Sequence, residues 1–429
     1  MPEKYYDTDS VYGIVRDVPL NYVERGRVDQ KLIENLERDK HIVIYGSSKQ
    51  GKTCLRKHCL DESDYIVVQC ANRWTLEDIH SNILKRAGFK ITQSEKKTVS
   101  GRNKIIASLK AGIPGFSSSV KSETETSSSN EITEKELELD PGDVNDVISA
   151  LESIKFDKYI VLEDFHYLQV DTQKDFAVAL KAFHEVSELC FLVVGVWLEE
   201  NRLIVHNGDL TGRVVSVDAD EWRDNELKQV VEDGAALLNI QFDEDFITSI
   251  VKESYDSVYI VQETCRQACI DDGITETQVD YKVTGRNVDV RKMVKDVVDQ
   301  QTGRYVSFIT QFADGFQETR LEMYKWLLYP ILTATTSKLE EGFSYADLRK
   351  SLQDKHPVGK ELNLGNLTQS LQSTASLQVK KDIKPIILDY DQTSRRLSVV
   401  DRGFIIWMDH QEGGDLLEMA GIDDAELST

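Results

Sequence analysis

The stretch HIVIYGSSKQGKT, residues 41–53, joins a continuous apolar run to a glycine-bracketed loop and then to a helical pattern, KTCLRKHCL. Residues 46–53 match GxxxxGK(S/T) in full, the spacing of a loop that cradles phosphate between a buried strand and a helix. Gly46 and Gly51 let the loop curl so that main-chain N–H groups converge on an anion. The helix that follows adds the positive end of its dipole. Gly46, Ser47, Ser48, Lys49, Gln50, Gly51, Lys52, Thr53 and Cys54 are therefore expected around the phosphates of ATP or ADP. Lys52 would bridge the β- and γ-phosphates and the Thr53 hydroxyl would ligate Mg2+.

Such a loop needs acids at the end of a second strand to steady the metal. KYIVLED, residues 158–164, supplies Glu163 and Asp164 after four apolar residues. Glu163 is expected on Mg2+ through water, and Asp164 is expected to polarise the attacking water. The order is Glu then Asp, the reverse of the usual one. One acid reaches a methylene further and the other a methylene less, so slow hydrolysis with unimpaired binding is expected.

Further apolar runs at DYIVVQC (64–70), CFLVVGVW (190–197) and RVVSVD (213–218) read as strands. Their apolarity is mostly continuous, as in strands covered on both faces. Helical patterns such as TLEDIHSNILKRAG and QKDFAVALKAFHEVSEL lie between them, and this alternation predicts an α/β fold with a parallel sheet. The expected divisions are an N-terminal arm over 1–39, an ATPase core over 40–218, a helical lid over 219–318, a winged-helix-like domain over 319–410 and an acidic tail over 411–429. In the lid, Asp224 or Asp243 is expected to cap a helix. Within the core, 92–141 is rich in Ser, Glu and Thr and is expected to be a polar, mobile insertion. Near the C-terminus, LNLGNLTQSLQSTASL reads as one helix, followed by two short strands in IILDYDQTSRRLSVVD.

The chain has 429 residues, 40% of them hydrophobic, and a net charge of −23. It contains no apolar run near the roughly 18 to 20 residues that span a bilayer, so no membrane partner is expected. MPEKYYDTDS has neither a basic start nor an apolar core, and the six cysteines form no CxxC pair. A reducing cytoplasm is expected. The acidic surface argues against general nucleic-acid binding. Only 320–410, with 13 Lys and Arg against 11 acids, departs from it.

With both motifs placed, the chain resembles the additional-strand P-loop ATPases, the AAA+ and STAND proteins, and among them the origin-recognition initiators. YVERGRVDQKLIENL is similar to the lead-in motif of that group, which packs near the adenine. Arg25 or Arg27 would take its arginine position; the first register keeps the aromatic Tyr22 and the second keeps Gly26. NGDLTGRVVSVD looks like the segment that carries an arginine finger, so Arg213 would reach a neighbouring subunit's γ-phosphate; the alternative is a structural arginine paired with Asp209 or Asp218. Two departures stand out. The fourth strand ends in Gly195 and Trp197 with no polar sensor before Asn201, and the lid lacks the usual Gly-x-Pro, leaving Arg266 as a candidate second sensor. His166 reads as a structural residue beside the acidic strand.

The resemblance implies three roles. One is an ATP-driven switch, with a homo-oligomer or a separate effector protein as partner; bacterial ATPases of this kind often serve in anti-phage defence or mobile elements. In STAND switches the winged helix packs on the nucleotide domain and holds the inactive state. Another is an initiator or loader that binds DNA through 319–410, which is not favoured because the third helix of the wing carries no Lys or Arg. The last is a scaffold that binds nucleotide without hydrolysing it.

Overall fold

A computed structural model describes residues 4–97, 103–109, 135–317, 319–359 and 362–423. Its first half contains β1 (His41–Tyr45), β2 (Tyr65–Gln69), β3 (Lys90–Lys97), β4 (Asn103–Leu109), β5 (Lys135–Leu139), β6 (Tyr159–Glu163), β7 (Phe191–Val194) and β8 (Val214–Asp218). Five of these, the five expected from the apolar runs, form a parallel sheet in the order β2-β6-β7-β1-β8. β7 therefore stands between the strand that leads into the phosphate loop and the strand that ends in the acids. Alternate residues of β1 serve opposite cores: Val43 and Tyr45 face one, Ile42 and Ile44 the other. A strand with both faces covered must be apolar throughout, which is why HIVIY does not alternate.

The insertion 92–141 contributes structure that its polarity hid. β3, β4 and β5 make a separate antiparallel sheet in that order. Ile105, Ala107 and Leu139 are buried in the core beneath the helix Leu76–Arg86. The signal was the two-residue alternation in NKIIASL and KELEL, overshadowed by composition. The expected mobility of 98–102 and 110–134 lies outside the described residues, as does most of the apolar stretch after Leu109.

After β8 the chain becomes helical. Helices Asp224–Leu237, Glu244–Glu253, Val258–Asp271, Val290–Asp299 and Thr302–Ala313 form the lid, with a short parallel pair of β9 (Ile240–Phe242) and β10 (Lys282–Thr284). Of the two expected caps, Asp243 accepts from the Asp245 N–H, whereas Asp224 is the first helical residue and Arg223 precedes it. The N-terminal helix Thr8–Tyr12 docks on the lid, where the Tyr12 hydroxyl donates to the Val231 carbonyl at 2.6 Å.

The C-terminal unit runs helix Met323–Leu332, helix Thr336–Glu341, β11 (Phe343–Ser344), helix Tyr345–Lys355, helices Leu364–Gln372 and Thr374–Lys380, then β12 (Leu388–Asp391) and β13 (Arg396–Val399). Its antiparallel sheet has the order β11-β13-β12, the strand order of a winged helix. The helix expected as one piece is broken at Ser373. The break lets Gln378 turn inward, where its amide donates to the Leu388 carbonyl and its oxygen accepts from the Ile387 N–H, both at 2.7 Å. The acidic tail is not wholly peripheral: helix Gly413–Met419 buries Leu416, and Ala420 and Ile422 follow it into the core.

Lid and winged helix share one apolar core that includes Phe308, Trp326 and Trp407. The joint between the winged helix and the parallel-sheet core is much smaller. Its apolar part is Val196, Val379, Ile386 and Val400 with Tyr167 at its edge, and beside it lie a buried ion pair between Arg202 and Asp389 and a hydrogen bond from the Thr393 hydroxyl to Glu199 at 2.9 Å. Among the described residues no helix is long and apolar enough to cross a membrane.

Candidate functional site

A cavity of about 410 Å³ opens where the sheet's C-terminal edge meets the lid. Ser48, Lys49, Gln50, Gly51, Lys52, Thr53 and Cys54 line one wall, and Glu163 and Asp164 line it beside them. Gly51 sits at φ +80°, a left-handed position that glycine takes without strain, and from it the helix Lys52–Cys59 departs. The first N–H groups of that helix have no intrahelical acceptor, and the residues that carry them, Lys52, Thr53 and Cys54, line the same space.

Gly46 and Ser47, also expected at the phosphates, act instead as the loop's anchors. The Gly46 N–H donates to the Trp197 carbonyl at 3.1 Å, tying the loop to the end of β7. The Ser47 N–H donates to Asp220 at 2.6 Å and its hydroxyl donates to the other oxygen of the same carboxylate. Asp220 lies between β8 and the first lid helix, so the loop's curvature is set from the junction of core and lid. Gln50 is fully buried and makes the second such link, donating to the Asp256 carbonyl at 2.9 Å beside the start of helix Val258–Asp271. Lys49 is exposed and lies over the Tyr259 ring at 3.7 Å.

Lys52 folds back on its own loop, donating to the Gly46 carbonyl at 3.0 Å and to the Ser47 carbonyl. Burial lowers its pKa to about 8, although Asp220 and then Glu163 and Asp164 pull the other way. The ammonium is therefore half deprotonated near pH 8 and close to complete only about one pH unit below it. Above about pH 8, binding of an anion through Lys52 requires uptake of a proton, so affinity for a nucleotide is expected to fall by up to about tenfold per pH unit. Titrations at about pH 7 and about pH 9.5 check this, and equal affinities would remove Lys52 from the phosphates.

The acids are held by residues that sequence reasoning did not single out. Glu163 accepts from Arg56 Nε at 3.0 Å, and both side chains are buried. Burial raises the Glu163 pKa and the Arg56 charge opposes that rise. Arg56 belongs to the helix of the phosphate loop, so loop and acidic strand are clamped together. Asp164 sits in the left-handed region at φ +57° and accepts from Gln69 Nε2 at the end of β2. Burial raises its pKa too, with Gln69, Lys52 and Lys384 lowering it. A polar residue closing a buried strand next to the acidic one was the available signal for Gln69.

At the far end the cavity is apolar, with Val23, Val230 and Val258 on its walls and a reciprocal amide pair, Asn21 with Gln262, at 3.0 Å. Of the two candidate arginines, only Arg25 lines the cavity. Arg25 is buried, donates to the Ala219 carbonyl at 2.8 Å and stacks at 4.2 Å on Trp222 in the cavity wall. Arg27 is exposed and pairs with Glu221 at 3.4 Å.

Two expected residues are not brought to this cavity. Arg213 precedes β8 at the end of the sheet opposite the loop, where it pairs with Glu185 at 2.8 Å and donates to the Asp209 main-chain carbonyl. Neither the Asp209 nor the Asp218 side chain is its partner; the Asp209 carboxylate takes Lys181 at 2.7 Å. Arg266 is paired with Asp9 of the N-terminal arm and does not line the cavity.

The winged helix completes the enclosure. Pro385 lines the cavity, and the Ser48 N–H of the loop donates to the Val400 carbonyl at 3.1 Å. Lys384 lies 5.2 Å from the Tyr167 ring.

No family model matches the chain, and no curated protein does. Among solved structures it is similar to the Walker-type ATPase PABY2304 of Pyrococcus abyssi, at 13% identity over 90% of this chain and 96% of that one, with a TM-score of 0.47. It is also similar to the Aeropyrum pernix Orc1 protein solved in complex with DNA, at 13% identity over 94% and 95% with a TM-score of 0.43. A third likeness is to Cdc6p from Pyrobaculum aerophilum, at 12% identity over 96% and 98% with a TM-score of 0.39. Likeness at this level carries no argument about activity, which rests on the residues of the site itself.

Proposed function

We propose that the chain binds ATP with Mg2+ in this cavity, hydrolyses it slowly, and uses the nucleotide state to control how the winged helix docks on the ATPase core. The observation that carries this is the shared wall: Pro385 of the winged helix faces the same space as the phosphate loop, and Val400 occupies the loop's Ser48 N–H. A ligand that fills the phosphate end must contact or displace the winged helix, so it has the differential interaction that a switch requires.

In this account the loop N–H groups and Lys52 hold the phosphates, and the apolar end near Arg25 takes the base. Thr53, Glu163 and Asp164 present hard oxygen donors on one wall, which suits Mg2+. Thr53 would hold the ion directly and Glu163 through water, and the ion would supply neutralisation of phosphate charge. Asp164 orients the attacking water, and Gln69 fixes the carboxylate that does so. Arg213 has no part in its own chain's cavity, so any role as a finger requires a neighbouring copy.

The second reading, DNA binding through the winged helix, is less well supported. The wing's basic side chains have internal partners: Arg395 stacks on Tyr345 at 4.1 Å, Arg396 pairs with Glu341 at 3.4 Å, and Lys381 with Asp314 at 4.0 Å. Val379, at the end of the helix before the wing, packs against Val196 of the ATPase core.

The test uses the hydrolysis-impaired variant Asp164→Asn, which traps whatever state ATP favours. Small-angle scattering is expected to give a larger radius of gyration, or a larger particle, with Mg-ATP than with Mg-ADP. Identical profiles in both nucleotides would reject the switch and leave a nucleotide-bound scaffold.

A further inference from the structure

Thr53 and Arg56 stand three residues apart on helix Lys52–Cys59, a spacing that brings both to one side of a helix. Thr53 lines the cavity, whereas Arg56 does not. Arg56 is buried, lies over the Tyr65 ring at 4.6 Å, and reaches the last residue of β6, where its Nε donates to Glu163 Oε1 at 3.0 Å. Glu163 does line the cavity. The guanidinium therefore grips this carboxylate from behind the wall.

The grip is one-sided. Among the described residues, Glu163 Oε2 accepts no hydrogen bond and, unlike the buried and unpartnered Arg56 Nη1, it is not sealed inside the protein. An arginine placed only to staple two elements gains most from a fork across both carboxylate oxygens, and a buried ion pair adds little net stability over apolar side chains. Stapling alone does not account for a pair that leaves one oxygen open beside the cavity.

We infer that Arg56 is a positioning residue for the metal: it holds Oε1 of Glu163 so that Oε2 is left for a water of the Mg2+ that Thr53 would bind. The inference rests on the nucleotide and metal binding proposed above. It goes beyond that reading by giving a role to a residue that touches neither ligand. Because Arg56 and Thr53 ride on one helix, their pairing with β6 would fix how the direct ligand stands relative to the water-bridged one.

The experiment measures, by calorimetry on the full chain, the affinity for a non-hydrolysable ATP analogue in Mg2+ and in EDTA. Wild type, Arg56→Met, Glu163→Gln and the double variant are compared. The readout is the factor by which Mg2+ tightens binding, in which any direct pull of the Arg56 charge on the phosphates cancels. Each single variant is expected to shrink that factor about tenfold, the loss of one hydrogen bond to a charged group. The double variant is expected to shrink it no further than Glu163→Gln does, because Arg56 acts through that carboxylate. The double variant also lacks the unpaired buried carboxylate that would destabilise Arg56→Met, so the comparison holds even if that single variant fails to fold. A wild-type factor in either single variant, or a further loss in the double variant, would overturn the assignment. Equal binding by the wild type in Mg2+ and EDTA would remove the metal and this inference with it. Failure of the wild type to bind in either condition would instead reject the nucleotide site itself.

Discussion

Replacing Arg202 with alanine is expected to detach the winged helix from the parallel-sheet core. Arg202 Nη1 lies 3.0 and 2.9 Å from the two oxygens of Asp389, with both side chains buried. Removing one partner of a buried ion pair leaves an unpaired charge, at a cost of about 3–5 kcal/mol. The remaining apolar joint has only four buried residues. The protein can escape the penalty by opening, which returns Asp389 to water, so the cost is capped at the free energy of undocking. Arg202→Ala should therefore show either a lower melting temperature or an enlarged particle in scattering without any nucleotide. The double variant Arg202→Met with Asp389→Leu should return close to wild type, because apolar replacements of a buried pair are often neutral. An Arg202→Ala protein as stable and compact as wild type would mean that the pair does not hold the joint.

The architecture was largely legible along the chain, because continuous apolar runs punctuated by turns mark strands covered on both faces, and HIVIY, YIVVQ, YIVLE, FLVV and VVSVD all became strands of one sheet. The phosphate loop and its following helix were legible for the same local reason. What escaped was set by contacts distant in sequence. Arg56 gave no sign of pairing with Glu163, 107 residues away, though a buried arginine next to Leu55 on a short helix implies a carboxylate somewhere. Asp220 and Gln50 looked like ordinary polar residues, yet each ties the loop to the junction with the lid or to the lid itself. The lead-in arginine could not be chosen from the motif, since Arg25 and Arg27 each kept half of it; only the placed side chains show that Arg25 packs against Ala219 and Trp222 in the cavity wall while Arg27 is exposed. The insertion misled because Ser and Glu dominate its composition, while the alternation that builds β4 and β5 occupies only a few residues at its ends.

Lys52 carries the largest expected effect on binding. Its ammonium is the one cation among Ser48–Cys54 that folds into the loop, whereas Lys49 points out over Tyr259. In the bound state it would exchange the Gly46 and Ser47 carbonyls for phosphate oxygens, charge-assisted bonds that are roughly twice as strong as neutral ones. Alanine removes those bonds and leaves the two carbonyls to other partners, so affinity should drop on the order of a hundredfold. The fold should survive, because the loop's remaining anchors at Trp197, Asp220 and Asp256 are untouched. Calorimetric titration of the wild type and Lys52→Ala with a non-hydrolysable ATP analogue and Mg2+ is the most direct measurement. Saturable binding by the wild type, with Lys52→Ala weakened about a hundredfold or more, is the predicted result. No heat of binding in the wild type, or equal affinity in the two proteins, would contradict it.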